Sequence, residues 1–429
     1  MLRELLPAVI GAGATATLVA TAAAQPILPQ GAAPLQVNPI DRVAPEPRPG
    51  VAPALEAAPL VPQTGPGAAQ SVQLSQASVS GNAAVASDRF AAILAPLAGR
   101  EATLAGIEDA RLAILTAYRT AGYPFAAVDA GLTPRPDGSA DLLFRVTEGY
   151  IAEVRLEGDI GPAGTQVLRF LEPLTRSRPV ASADLERALL LASDIPGVTV
   201  RGVVRPMAAE PGALQLVAQV ARRPVSGYLN VDNRGSRLAG PWQGLLAVGA
   251  NSFSEYGERT EIALFTAEAG QQYFGQGTFE SFIGASGLRM RVWAGAGQAR
   301  PGSDLRAIGY AGNTQVFGGA LSYPIIRRRP ITLSVIGQVD GFESEVKTGG
   351  SVATRDLVRS ARFGFDLQSL DTLIPFLPGA ITTGSVRVSQ GFTGFGASSN
   401  ANPIPTRAGS RYDYLKASFE LVRTQPLFQ

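Results

Sequence analysis

The chain has 429 residues and contains neither Cys nor His, which excludes thiol chemistry, disulfide scaffolds, most zinc sites and histidine-based acid–base pairs or triads. Charged residues make up 17%, below the roughly 25% usual for soluble domains, and 48 residues are Gly, above the usual ~7%. The formal net charge of +2 offers no strong field for nucleic acid, so none is expected as a partner.

The opening residues, MLRELLPAVIGAGATATLVATAAAQP, set Arg3 ahead of an apolar Ala/Gly/Thr-rich run, and Ala22-Ala23-Ala24 precede Gln25. That is the pattern of a secretory signal peptide over 1–24, with an uncleaved anchor as the alternative. No later stretch approaches ~18 apolar residues, so no transmembrane helix is expected. Residues 25–70 hold 11 of the 32 prolines and read as an extended, mobile linker and plain spacer.

An internal repeat follows. SVQLSQASVSGN (71–82) and YIAEVRLEGD (150–159) both alternate, and their Gly81 and Gly158 lie 77 residues apart. The same offset relates LAPL (94–97) to LEPL (171–174). Each unit reads as strand, helices, then strands. In the first, Leu104, Ile107, Ile114, Leu115 and Tyr118 recur at helical spacing before Gly122. The strands FAAVDAGLTP and ADLLFRVTEG flank the turn RPDG. In the second, ADLERALLLA (183–192) is helical, and VTVRGVVRP and ALQLVAQVAR are strands. The expected units are α+β modules over 71–149 and 150–224.

From Val225 to Gln429 no helix is expected, and roughly ten strands of about 9–15 residues are. ARFGFDL sets Ala361, Phe363, Phe365 and Leu367 against Arg362, Gly364 and Asp366. LKASFEL sets Leu415, Ala417, Phe419 and Leu421 against Lys416, Ser418 and Glu420. SVRVSQ separates Val386 and Val388 from Arg387, and RMRVWAG separates Met290 and Val292 from Arg289 and Arg291, with Trp293 spoiling the face. A soluble β-sandwich alternates in this way, and so does an outer-membrane barrel whose apolar face meets lipid. The polar faces are rich in Gly, Ser, Gln and single charges. Connections alternate between tight (285–287, 327–330) and long (299–309, 343–356, 393–411). Both features fit the barrel, with periplasmic turns and extracellular loops.

The motifs VSGN with LAPLAGREATLAGIEDARLAILTAYRTAGYPFAAV (79–128), FRVTEGYIAEVRLEGD (144–159), LNVDNRGSRLAGPWQG (229–244) and GGALSYPIIRRR (318–329) resemble the hemolysin secretion/activation family of two-partner secretion transporters, within the BamA superfamily. The resemblance covers roughly residues 71–429. It implies two POTRA-like α+β modules followed by an all-β antiparallel transmembrane barrel over 225–429. The barrel is incomplete here, with about ten of the family's sixteen strands. It implies periplasmic capture of an unfolded β-rich, β-helical exoprotein and its export through the lumen. The implied partners are that exoprotein, outer-membrane lipid and, during biogenesis, the barrel assembly machinery. No cofactor and no enzyme activity are implied. An assembly factor for other barrels, and a soluble periplasmic sandwich with two adaptor modules, are the competing readings. The family's lumenal VRGY-like motif lies beyond Gln429, and Val200-Arg201-Gly202 falls in the second module instead. A fragment or a truncated reading frame is therefore expected.

Arg289, Arg291, Arg362, Asp366, Arg387, Lys416 and Glu420 are the expected lumen-facing residues. Asn233, Arg234 and Gly235 are the expected first extracellular turn, after Asp232. Arg327-Arg328-Arg329 reads either as a solvated turn or as a site for anionic lipid or a partner. Glu148-Gly149 reads as the close of a strand.

Overall fold

The computed structural model describes residues 38–40, 70–208, 210–371 and 379–426. The expected signal peptide and most of the Pro-rich segment lie outside them.

Strand β1 (Ser71–Ser80) sits between β2 (Glu101–Thr103) and β4 (Ala140–Thr147), with β3 (Ala127–Pro134) beyond β4. Helix α1 (Leu104–Thr120) covers this sheet and is capped by Thr103, whose Oγ1 accepts from the Gly106 N–H. Its Ile107, Ile114 and Tyr118 pack on Leu74, Leu142 and Phe144. Burying each such side chain stabilises by about 1.5–3 kcal/mol relative to exposure. The helix stops where Gly122 takes φ +92° and the Tyr123 N–H returns to the Tyr118 carbonyl. Glu148 Oε1 accepts from the Tyr118 hydroxyl at 2.8 Å and the Ala84 N–H at 2.7 Å. That carboxylate ties α1 to the end of the sheet and accounts for "VTEG" structurally.

The second unit runs β5 (Tyr150–Gly158), α2 (Gly164–Leu171), α3 (Ser182–Ser193), β6 (Val198–Pro206) and β7 (Ala213–Arg222), in sheet order β5-β7-β6. In both units the first strand pairs in parallel with the last, β1 with β4 and β5 with β7. This shared closure explains the repeated glycines. Gly81 (φ +78°) and Gly158 (φ +95°) end their first strands against the Val146 and Val220 carbonyls, leaving no room for a Cβ.

The remaining strands are β8 (Val225–Asp232), β9 (Gln243–Asn251), β10 (Arg259–Ala267), β11 (Gln272–Ile283), β12 (Leu288–Ala299), β13 (Ala311–Arg327), β14 (Ile331–Thr348), β15 (Ser351–Asp371), β16 (Ala380–Gly391) and β17 (Leu415–Thr424). They form one ten-stranded sheet in chain order, every neighbouring pair antiparallel. Directly opposed residues share a face. Leu229 opposes Leu246, which opposes Leu264. Phe363 opposes Val388, and Val386 opposes Phe419. All of these are exposed, so one face of the sheet is a continuous apolar surface.

Two expectations about the connections are corrected. Residues 343–356 are not a long loop. β14 and β15 continue through them and turn at Gly349 (φ +56°) and Gly350 (φ +83°). Apart from Val346, Val352 and Ala353 this extension is polar or Gly on both faces, so the alternation that marks the strands lower down fades out. The connection 299–309 contains a short helix, Ser303–Ala307, and Glu268–Gly270 forms a 3-10 turn, where no helix was expected.

β15 also outruns its neighbour. β16 pairs only with Ser360–Asp371. The upper edge of β15 is taken up by the β16–β17 loop. Ser398 N–H donates to the Leu357 carbonyl, Leu357 N–H to Ser398 Oγ, and Arg355 N–H to the Ile404 carbonyl.

Candidate functional site

The face opposite the apolar surface is concave and polar. Residues of six consecutive strands, β11 to β16, line one cavity of about 620 Å³. Three arginine–carboxylate pairs cross between adjacent strands there. Arg289 Nη1 lies 2.9 Å from Glu280 Oε1, Arg362 Nη2 lies 3.0 Å from Asp340 Oδ2, and Arg387 pairs with Asp366. Asp340 also accepts from Ser360 Oγ and Gln338 Nε2, both at 3.0 Å. Arg291 instead stacks on Trp293, 5.5 Å from the ring centroid.

Residues 38–40 reach the same face. Asn38 Nδ2 donates to Gln276 Oε1 at 3.0 Å, and Ile40 is buried among Leu245, Phe265 and Phe274. At residues 38–40 the Pro-rich stretch is therefore packed rather than a free spacer; most of the rest of 25–70 lies outside the described residues. An apolar residue three places beyond Leu35-Gln36-Val37 was its only sequence signal.

The second unit docks on the turns at one end of the sheet. Arg327 forms two bonds to Asp194, Nη2 to Oδ1 at 2.7 Å and Nε to Oδ2 at 2.8 Å. Arg329 N–H donates to Glu186 Oε1 at 2.8 Å. From α3, Arg187 Nη2 reaches the Pro324 carbonyl at 3.0 Å. From α2, Gln166 Nε2 reaches the Gly284 carbonyl at 2.9 Å, and Phe170 meets Phe282 edge-on at 5.2 Å. The turn before β10 is fixed too: Ser252 Oγ donates to the Pro196 carbonyl at 2.7 Å. A second cavity of about 560 Å³ opens between α3 and the ends of β13–β16, lined by Asp194, Arg289, Arg327 and Asp366 among others. The docking unit and the polar face therefore meet at one mouth.

Comparison with known proteins gives the first unit a domain family and the chain a shared fold. Residues 72–138 match the POTRA domain, ShlB-type. Curated relatives are the heme/hemopexin transporter protein HuxB of two Haemophilus influenzae strains. They are 24% and 23% identical over 256 residues, which is 59% of this chain and 45% of the relative. The chain thus matches about half the length of those relatives. CdiB from Escherichia coli has a similar fold, with a TM-score of 0.64 at 17% identity, over 87% of this chain and 69% of that one.

Residues 72–138 are a POTRA domain of ShlB type, and the chain shares the fold of CdiB.

Of the residues singled out from the sequence, Arg289, Arg291, Arg362, Asp366 and Arg387 are brought together around the 620 Å³ cavity. Lys416 and Glu420 lie apart from it, on the edge strand, but oppose Ser389 and Ser385 and so share the arginine face. Trp293 does not break the alternation. It belongs to the Arg291 side and lies over its opposed residue Gly318, where a Cβ would enter the indole. Asn233, Arg234 and Gly235 occupy the β8–β9 connection, where Asp232 Oδ1 accepts from the Arg234 N–H and from Gln243 Nε2. The triple arginine is neither a solvated turn nor a lipid site alone, since Arg327 and Arg329 hold the second unit. Sequence reasoning missed Glu280 and Asp340, which alternate with Phe279, Ser281 and Val339 and were legible as inner-face residues. It also missed Asp194 and Glu186, for which the sequence holds no signal, because their partners lie more than 130 residues away.

Proposed function

We propose that the chain is an outer-membrane translocator that captures an unfolded, β-rich exoprotein of hemagglutinin or hemolysin type through its POTRA units and exports it along the barrel lumen. The observation that carries this reading is the continuity from the docked second POTRA unit, through the mouth between α3 and β13–β16, to the polar inner face. On this reading Arg289, Arg291, Arg362, Asp366, Arg387, Lys416 and Glu420 line the lumen, and Asn233–Gly235 form the first extracellular turn. The apolar face meets outer-membrane lipid, and the barrel assembly machinery inserts it. The exoprotein adds as a strand to a POTRA sheet edge. Among the described strands those edges are β2 and β3 in the first unit and β5 and β6 in the second.

The test is deletion of the gene followed by analysis of the culture medium and the outer membrane. Loss of one large secreted protein, with the outer-membrane profile intact, is the expected result. A general loss of outer-membrane barrels would instead establish an assembly factor, and extraction of the protein by carbonate without detergent would establish a soluble sandwich.

A further inference from the structure

The cavity on the inner face is lined by four arginines and three carboxylates, which leaves one surplus positive charge. Its location follows from the pairing. Arg362 and Arg387 each have a carboxylate of their own, Asp340 and Asp366. Arg289 and Arg291 have one between them. Glu280 directly opposes Arg291 across the β11–β12 ladder, yet its carboxylate is engaged by Arg289 at 2.9 Å. Among the described residues Arg291 makes no ion pair, and its guanidinium lies over the Trp293 ring. The indole is itself held against the bare backbone of Gly318. Three layers, glycine, indole and guanidinium, thus fix a cation whose outer edge faces the cavity. A guanidinium held this way loses little freedom on binding and presents paired N–H donors matched to a carboxylate.

We propose that Arg291, positioned by Trp293, is a contact site for the aspartate and glutamate side chains of the polypeptide in transit. The proposal rests on the lumen reading above and extends it, by assigning the wall one attractive point for carboxylates among otherwise neutralised pairs.

The chain has two tryptophans, so Trp242→Phe leaves Trp293 as the sole reporter beside Arg291. In the membrane-inserted full chain, its fluorescence is quenched with small water-soluble nitroxides that are neutral, carboxylate-bearing or ammonium-bearing. The carboxylate form is expected to quench about threefold more than the ammonium form, as a unit charge a few ångströms away in a wet cavity requires. Arg291→Gln is expected to bring that ratio to about one. The charge-balanced pair Arg362→Gln/Asp340→Asn leaves the surplus in place and is expected to leave the ratio unchanged. An extended nitroxide-labelled peptide containing Glu should quench more than its Gln counterpart, again only with Arg291 present. If the neutral nitroxide quenches but the ratio is near one, survives Arg291→Gln, or collapses equally in the charge-balanced pair, the site is overturned and the lumen reading stands. If only a lipid-borne nitroxide quenches Trp293, both are overturned.

Discussion

Replacing Arg327 with Gln removes the doubly bonded guanidinium that holds α3 of the second POTRA unit to the β13–β14 turn. The pair is partly shielded, with the Arg327 and Asp194 side chains 17% and 25% exposed. An exposed pair contributes ~0–1 kcal/mol, whereas stripping one partner from a buried pair costs ~3–5 kcal/mol. Discounting for the residual solvent places this one at about 2 kcal/mol, or roughly a thirtyfold shift in the docking equilibrium. The remaining contacts, Arg329 with Glu186 and Phe170 with Phe282, keep the unit docked most of the time. The effect should therefore show as faster amide hydrogen exchange in α3, by about thirtyfold, without loss of the fold. Asp194→Ala should do the same, the double variant should add little, and the swap Arg327→Asp/Asp194→Arg should recover part of the protection. Exchange in α3 that changes less than about threefold, or single effects that simply add, would refute the docking role.

Further outcomes follow from other contacts. Gly81→Ala places a Cβ against the Val146 carbonyl at φ +78°, and should destabilise the first POTRA unit by about 2 kcal/mol, read as earlier proteolysis within residues 71–147. Gly341→Val removes the floor on which the Phe317 ring lies, and should lower the yield of folded barrel in a heat-modifiability gel, with Phe317→Ala in the same chain restoring part of it. Burial raises the pKa of Glu258, but hydrogen bonds from Ser254 Oγ and from the backbone N–H groups of Ser254 and Phe253 outweigh it and hold the carboxyl below its ordinary 4.5. A depressed folded-state pKa stabilises above the ordinary value, and that stability is lost as pH falls through the depressed one. The 252–258 turn should therefore loosen on acidification below about pH 4.5, and Glu258→Gln should show the loosened exchange pattern at neutral pH with little further acid response.

The faces of the sheet were legible because one is apolar and the other polar. Val386, Arg387 and Val388, or Phe363, Arg362 and Phe365, can alternate in only one sense once one face is apolar. Where that asymmetry ends, the signal ends with it. The upper halves of β14 and β15 carry Glu343, Glu345, Lys347 and Arg355 beside Ser and Thr, and so read as loop although they pair throughout but for one register shift at Val346/Lys347. The two α+β units were visible through their matched glycines, which answer to the same parallel closure in each. The partners of the inner arginines were harder, because an alternating strand reveals which side a residue takes but not which neighbouring strand it bonds to. The seat of residues 38–40 and the docking of Arg327 depend on contacts across most of the chain, and local pattern carries no information about those.

The β16–β17 loop that occupies the upper edge of β15 has a consequence for a chain read as an exporter of β-rich proteins. An uncovered strand edge is a template onto which any extended chain can add. A polypeptide emerging unfolded at the cell surface is such a chain, and it is most concentrated beside the pore it leaves. With Leu357 and Arg355 already bonded to Ser398 and Ile404, that stretch of the edge is taken. On the exporter reading proposed above, the loop withholds this stretch of edge from the emerging product, which is left to find its own strands.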